Sequence, residues 1–146
     1  MAKPDLAFHF NAPNKVAYAC KLLRKATLSG ARVAVLAAPD VLARLDAELW
    51  VFSPPDFVAH VRAPCTPAVL GRTPVVLCEA LSQVQGAGYS VLVNLLPTVP
   101  QGFEPFDRVI EVVTPDDADR LSARARWKRY TELGYEITRH DLKLAA

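Results

Sequence analysis

The sequence is short of the residues on which most metal and catalytic sites depend. It contains three cysteines, three histidines and six glycines in 146 residues. Cys20, Cys65 and Cys78 are odd in number and far apart, so they predict neither a zinc ligand set nor a disulfide framework. We therefore expect free, mostly buried thiols in a reducing compartment, and no metal or other cofactor.

Long hydrophobic runs are also missing. The longest, at 33–38 and 91–96, fall well short of the roughly 20 apolar residues that cross a bilayer. Residues 1–5 lack the charged-then-apolar pattern of a signal peptide. The sequence thus predicts a cytoplasmic protein without a membrane partner.

Charge is nearly balanced over the whole chain. Seventeen basic and 15 acidic residues give a net charge of +2, which provides no overall attraction to nucleic acid. The basic residues are unevenly placed, however, and six of them fall between 108 and 129: Arg108, Arg120, Arg124, Arg126, Lys128 and Arg129. The positive field is therefore local.

Hydrophobic periodicity predicts a single α/β domain over residues 1–146 with a mostly parallel sheet. Strands and helices alternate from the N-terminus, an order that requires right-handed crossovers between parallel strands. Strands are predicted at 6–10, 32–37, 74–79, 90–95, 108–113 and 135–140. Helices are predicted at 14–29, 39–50 and 114–133, with Asn14 and Thr114 as N-caps and Gly30 and Gly134 as stops. Residues 51–71 are rich in proline and predict an irregular connection, with one short helical or extended piece at 57–61.

The first strand-to-helix turn lacks the features of a phosphate-binding loop. Such a loop needs glycines so that backbone N–H groups can approach the anion. Here the turn is Asn11-Ala12-Pro13-Asn14-Lys15, without glycine and with a proline that removes a donor. Nucleotide binding at this turn is not expected.

No catalytic constellation is visible. There is no G-x-S-x-G elbow, and His9, His60 and His140 are isolated in the sequence, as structural or surface histidines would be. The paired carboxylates Asp116 and Asp117 are explained by helix capping. The sequence indicates a protein that is not an enzyme.

The last predicted helix carries the strongest signal, the run from Arg120 to Tyr130. On a helical wheel Ala118, Leu121 and Ala125 share one face, and Trp127 lies opposite among cations. Two interpretations are open. Either Trp127 and Tyr130 belong to the core, with Ala123, Tyr130 and Leu133 as a second buried stripe, or Trp127 forms the apolar floor of a cationic pocket.

Such a pocket suits two kinds of ligand. An acidic peptide ending in a hydrophobic residue would place its carboxylates on the arginines and its side chain on the indole. Single-stranded nucleic acid would place phosphates on the cations and a base on Trp127.

Three parts of the chain resemble the chi subunit of bacterial DNA polymerase III. They are L-D-A-E-L-W at 45–50 with its flanks 29–33 and 57–60, F-D-R-V-I-E-V-V at 106–113, and A-R-A-R-W-K-R-Y at 123–130 followed by Gly134-Tyr135. The resemblance implies a three-layer Rossmann-like fold without a phosphate loop. It also implies a non-catalytic clamp-loader subunit that contacts DNA only indirectly or weakly.

The resemblance further implies two binding surfaces. One holds the acidic, Pro-Phe-ending C-terminal tail of single-stranded-DNA-binding protein. The matching positions are Val113 and Trp127, which would line the pocket for the terminal Phe, and Arg124 and Lys128, which would take the carboxylates. We add Arg120, one helical turn before Arg124.

The second surface would bind the psi subunit, which joins chi to the clamp loader. The positions that match are Trp50 and Phe57. Both side chains could instead be core aromatics that anchor the proline-rich loop, and the sequence leaves that alternative open.

Overall fold

A seven-stranded sheet with helices on both faces forms the body of the protein in the computed structural model, which describes residues 3–51 and 58–143. The strands are β1 (Asp5–Phe10), β2 (Val33–Leu36), β3 (His60–Arg62), β4 (Val75–Cys78), β5 (Val91–Asn94), β6 (Arg108–Val112) and β7 (Ile137–Asp141). The helices are α1 (Lys15–Leu28), α2 (Pro39–Val51), α3 (Pro67–Arg72) and α4 (Asp117–Glu132), with a 3-10 turn at Leu81–Val84.

All strand pairs are parallel, in the order β3-β4-β2-β5-β6-β1-β7. The α/β class predicted from strand–helix alternation is confirmed. β7 lies at one edge beside β1, and β3 lies at the other edge. Because every strand points the same way, the carboxyl ends of β1, β6 and β7 lie side by side at one end of the sheet.

Two apolar layers, one on each face, bury the sheet. On the first face, α1 and α2 pack their predicted stripes, which include Leu23 and Leu45, against β2, β4 and β5. On the second face, α3, the 3-10 turn and α4 pack against residues such as Phe8, Leu36 and Leu92. The result is the three-layer arrangement expected of a sheet that is apolar on both sides.

The connection at 51–71 contains more regular structure than its proline content predicts. Within its described part, β3 adds an edge strand and Thr66 caps α3 by accepting a hydrogen bond from the Val69 N–H. Both elements are too short to show a periodic hydrophobic pattern.

The N-terminus of α4 lies later than the sequence predicts, so the expected cap at Thr114 is wrong. Asp116 is the N-cap and accepts a hydrogen bond from the Asp119 N–H at 3.2 Å. Thr114 instead donates its N–H and hydroxyl to the Asp119 carboxylate. Although partial burial opposes it, these bonds and one from Lys15 hold the pKa of Asp119 below its usual value.

The predicted apolar face of α4 is also wrong. Ala118, Leu121 and Ala125 are exposed, Leu121 to 68%. The buried side chains are Ala123, Arg126 and Tyr130, which confirms the alternative stripe for Ala123 and Tyr130 but not for Leu133, which is 40% exposed. The helical wheel predicted the wrong buried face because a charged residue, Arg126, lies on the face that is buried.

The thiols are free, as predicted. Cys20 and Cys78 are buried, and Cys65 is partly exposed. Burial raises the pKa of Cys20 to about 11 and that of Cys78 to about 12, so both remain protonated at neutral pH.

His9 is a buried neutral histidine. Its Nδ1 shares a hydrogen bond with the Tyr18 hydroxyl, and its ring lies 4.7 Å from that of His140. Burial, with smaller contributions from His140, Arg108 and Lys25, lowers the pKa of His9 to about 4. The folded protein therefore binds a proton here less readily than the unfolded chain does.

We expect this histidine to make the protein less stable in mild acid. The unfolded chain protonates His9 below about pH 6.5, but the folded protein does so only near pH 4, so stability falls between these values. The loss between about pH 7 and about pH 5 is up to about 2 kcal/mol from this residue. Urea unfolding of the native protein and of His9→Gln at both pH values measures it. Equal pH dependence in the two proteins would contradict the assignment.

Candidate binding site

A pocket of about 670 Å³ lies beside α4, at the end of the sheet that is formed by the carboxyl ends of β1, β6 and β7. We call it the α4 pocket. Its helix side consists of Arg120, Ala123, Arg124, Trp127 and Lys128. Its sheet side consists of Phe10, Asn11, Thr114, Arg139 and Lys143. Four predicted site residues, all on α4, are thus brought together.

Trp127 is half-buried and serves both as core and as pocket lining. Its ring lies 5.1 Å from that of Phe8, which is fully buried, and 6.0 Å from that of Phe10 at the pocket. The two interpretations of this residue are therefore compatible. The packing holds one part of the indole rigidly while another part lines the pocket.

The α4 pocket is strongly cationic. Its lining includes Arg120, Arg124, Lys128, Arg139 and Lys143, all exposed. Within the described residues none of these five forms an ion pair. By contrast, Arg129 on the same helix lies 3.7 Å from the Glu132 carboxylate and does not line the pocket. Five cations around one apolar floor create a field that attracts an anionic ligand.

A buried ion pair sets the rotation of α4. The Arg126 Nε donates to the fully buried Glu111 of β6 at 2.9 Å, and the Tyr130 hydroxyl and the Asn94 amide donate to the other carboxylate oxygen at 2.8 and 2.9 Å. Burial raises the pKa of Glu111, but all three partners are donors, which favours the carboxylate. Because Arg126 is fixed inward, Arg124 and Trp127 are directed to the pocket.

Arg126 also joins α4 to the loop after β5. Its Nη1 donates to the Pro97 carbonyl oxygen at 3.2 Å and to the Ser122 hydroxyl at 2.7 Å, while the Ser122 hydroxyl donates to the same carbonyl. Sequence reasoning counted Arg126 among the surface cations and missed this role. Its spacing from Ala123 and Tyr130, three and four residues away on one helical face, was the available signal.

Val113, the remaining predicted pocket residue, does not line the pocket. It follows β6, is fully buried, and belongs to the apolar layer on which Trp127 packs. Its backbone N–H donates to the His9 carbonyl, and its carbonyl accepts from the Ala12 N–H. With no exposed surface, its side chain is not available to a ligand.

Of the two residues predicted for the psi surface, Trp50 lies outside the α4 pocket. Trp50, near the end of α2, is 63% exposed, and its ring contacts that of His60 edge-on at 5.2 Å. Phe57 falls outside the described residues. The exposure of Trp50 argues against the alternative in which it is a core aromatic.

A second, larger pocket of about 910 Å³ has the opposite character. It lies among the 3-10 turn and the loop before β6, and its charged residues are Glu79 and Glu104. Among the described residues no Lys or Arg lines it, so it does not suit an anionic ligand.

Comparison with known proteins identifies the family of this chain. A family model described as the DNA polymerase III chi subunit, HolC, matches residues 4–138. The chain belongs to the DNA polymerase III chi subunit family. DNA polymerase III subunit chi of Pseudomonas aeruginosa is 34% identical over 126 residues, covering 85% of this chain and 84% of that protein. Its namesake from Haemophilus influenzae is 26% identical over 125 residues, covering 85% of each.

The fold is shared more widely than the chi family. The C-terminal domain of the DEAD-box protein Dbp5 superposes with a TM-score of 0.59 at 14% identity, covering 96% of this chain and 91% of that one. At this identity the likeness shows the fold alone.

The chi family match does not reach the whole α4 pocket. It covers α4 and β1 but ends at residue 138, before Arg139 and Lys143. Sequence reasoning also missed these two cations, and with them Phe10 and Asn11, because they lie on or beside strands and not on α4. The topology was the available signal, because the parallel strands β1, β6 and β7 have their carboxyl ends at the same end of the sheet.

The described residues contain neither a metal-binding cluster nor a membrane-spanning helix. Residues 3–51 and 58–143 contain no cluster of three or more His, Cys, Asp or Glu side chains that could hold a metal ion. No helix among them is long and apolar enough to span a bilayer.

Proposed function

We propose that this chi family member is a non-catalytic accessory subunit of the DNA polymerase III clamp-loader assembly, and that its α4 pocket binds the acidic C-terminal tail of single-stranded-DNA-binding protein. The observation that carries the proposal is the half-buried Trp127 in one pocket with five cations that form no ion pair among the described residues. The relatives are DNA polymerase III chi subunits, which supports membership of the polymerase assembly.

The chemistry of the α4 pocket fits such a tail. Phe10 and Trp127 offer aromatic surface on which a terminal Phe side chain can pack. Arg124 precedes Trp127 by one helical turn and Lys128 follows it directly, so both can reach the terminal carboxylate of a bound residue. Arg supplies bidentate hydrogen bonds and Lys a point charge.

A titration tests the proposal directly. A synthetic peptide with aspartates upstream of a C-terminal Pro-Phe should bind the native protein with micromolar affinity, which weakens as salt rises from about 0.05 M to about 0.3 M. The same peptide with an amidated C-terminus is the matched control and should bind at least about tenfold more weakly. Equal affinity for the two peptides would show that the terminal carboxylate does not contribute to binding, which contradicts this part of the proposal.

The link to the replicase through psi is proposed on the exposure of Trp50. An indole that is 63% exposed at the end of a helix provides an apolar anchor for a partner chain. Trp50→Ala should abolish co-purification of clamp-loader subunits from cells while leaving affinity for the tail peptide unchanged. Phe57 stays a prediction for the same surface.

Single-stranded nucleic acid is the second candidate ligand, because the five cations and the Trp127 ring would also suit phosphates and a stacked base. Bare single-stranded DNA titrated at about 0.15 M salt separates the two. Binding stronger than that of the peptide, and lost in Trp127→Ala, would favour nucleic acid and overturn the peptide assignment.

A further inference from the structure

The sheet side of the α4 pocket carries two cations that no part of the family match covers. We propose, resting on the peptide-binding function above, that Arg139 and Lys143 contact acidic side chains upstream of the ligand's last residue. The pocket would thereby select a chain with several carboxylates over one that has only the terminal carboxylate.

Strand register places Arg139 inside the pocket. In the parallel pairing of β1 with β7, Arg139 is opposite Phe8, whose ring contacts Trp127 on the α4 side of the sheet. The Arg139 guanidinium lies over the Phe10 ring, 4.8 Å from its centroid. Stacking on an aromatic ring restricts the guanidinium while its N–H groups remain able to donate to a carboxylate.

A hydrogen-bonded clamp holds this part of β7 against β1. Asn11 has a φ of 65°, in the left-handed region, and its side-chain amide donates to the Asp141 carboxylate at 2.8 Å. The Leu142 N–H donates to the Phe10 carbonyl, and the Lys143 N–H donates to Asp141. β7 is an edge strand, so these bonds keep Lys143 beside the pocket where the strand would otherwise fray.

Asp141 offsets the charge of the sheet side only in part. Hydrogen bonds from the Asn11 amide and the Lys143 N–H are the main reasons that the pKa of Asp141 lies below its usual value, and the charges of Arg139 and Lys143 contribute less. No ion pair joins Asp141 to Arg139 or Lys143 within the described chain. Two cations beside one carboxylate leave the sheet side with a net positive charge.

Because cations lie on two sides of the α4 pocket, we expect its ligand to carry several carboxylates. Arg124 and Lys128 flank Trp127 on the helix side, while Arg139 and Lys143 lie on the sheet side of the same 670 Å³ pocket. These like charges repel one another when the pocket is empty. A single terminal carboxylate beside Trp127 offsets the repulsion on one side only, whereas acids further up an extended peptide, about 3.3 Å per residue, reach the other side.

A double-mutant cycle between protein and peptide tests the inference. Native protein, Arg139→Gln and Lys143→Gln are each titrated with the aspartate peptide ending in Pro-Phe and with the same peptide carrying asparagines instead. Each substitution should lower affinity for the aspartate peptide by about fivefold and for the asparagine peptide by less than about twofold. Arg129→Gln is the matched control: it removes the same charge outside the pocket and should change neither affinity.

A third variant tests the clamp. Asn11→Gly keeps a backbone that tolerates positive φ but removes the amide that holds Asp141. It should lower affinity for the aspartate peptide by about threefold and spare the asparagine peptide. No effect of Asn11→Gly would overturn the clamp.

The outcomes separate this inference from the proposed function. If the native protein binds the peptide but Arg139→Gln and Lys143→Gln lose nothing, or lose equally with both peptides, the sheet-side contact is overturned and the tail site stands. If the native protein does not bind the aspartate peptide, both the proposed function and this inference are contradicted.

Discussion

Replacing Trp127 with alanine should weaken binding of the acidic Pro-Phe peptide by at least about 30-fold. Rigid, half-buried aromatic side chains that form the floor of a pocket contribute about 2 kcal/mol or more to peptide binding. Trp127 is held by Phe8 and Phe10, so it does not have to be ordered when the ligand binds. Isothermal titration calorimetry measures the affinity.

Since Trp127 also packs in the core, a conservative variant is needed. Trp127→Tyr keeps an aromatic ring on Phe8 and should retain affinity to within about threefold. Arg124→Ala, which alters an exposed residue, should reduce affinity by about tenfold, whereas Arg129→Ala should not. If both Trp127→Ala and Arg124→Ala, folded by circular dichroism, bind as tightly as the native protein, the α4 pocket is not the tail site.

Replacing Arg126 with methionine should lower the free energy of unfolding by about 3–5 kcal/mol. The substitution leaves the Glu111 carboxylate fully buried with only the Asn94 and Tyr130 donors. An uncompensated buried charge is the reason for a penalty of that size. Urea unfolding followed by circular dichroism measures it.

Two variants place limits on this interpretation. Arg129→Met removes an exposed cation from the same helix and should change stability by less than about 0.5 kcal/mol. Combining Arg126→Met with Glu111→Leu removes both charges and should recover a large part of the loss. A cost for Arg126→Met no larger than that of Arg129→Met would show that the pair does not anchor α4.

The α/β class and the position of the helix that lines the α4 pocket were open to prediction from the sequence. Apolar runs such as those of β2 and β5 are typical of strands covered on both faces, and their alternation with helices indicates a parallel sheet. The A-R-A-R-W-K-R-Y segment identified the helix and three of the predicted pocket residues, and Arg120 was added one helical turn before it. These signals are local, because each depends on residues within a few turns of one another.

The rotation of α4 was only partly open to prediction, because the sequence allowed two buried faces for this helix. A helical wheel assigns hydrophobic residues to the interior, and on that basis Ala118, Leu121 and Ala125 were placed inside and Arg126 outside. The structure reverses this because Glu111, on a strand that precedes the helix, supplies a buried partner for Arg126. No pattern within the helix reveals a partner on another element.

The sequence by itself determined the strand–helix alternation and the cluster of cations around Trp127. It also showed that the first strand-to-helix turn lacks the glycines of a phosphate-binding loop. Each of these follows from residue types at short spacing. Only the tertiary structure decided which of those cations is buried, that Val113 is inaccessible, and that Phe10, Asn11, Arg139 and Lys143 complete the pocket. The physical reason is that a parallel sheet brings together strand ends that are distant in the chain. The charge and packing of such residues are settled by their neighbours in space rather than by their neighbours in sequence.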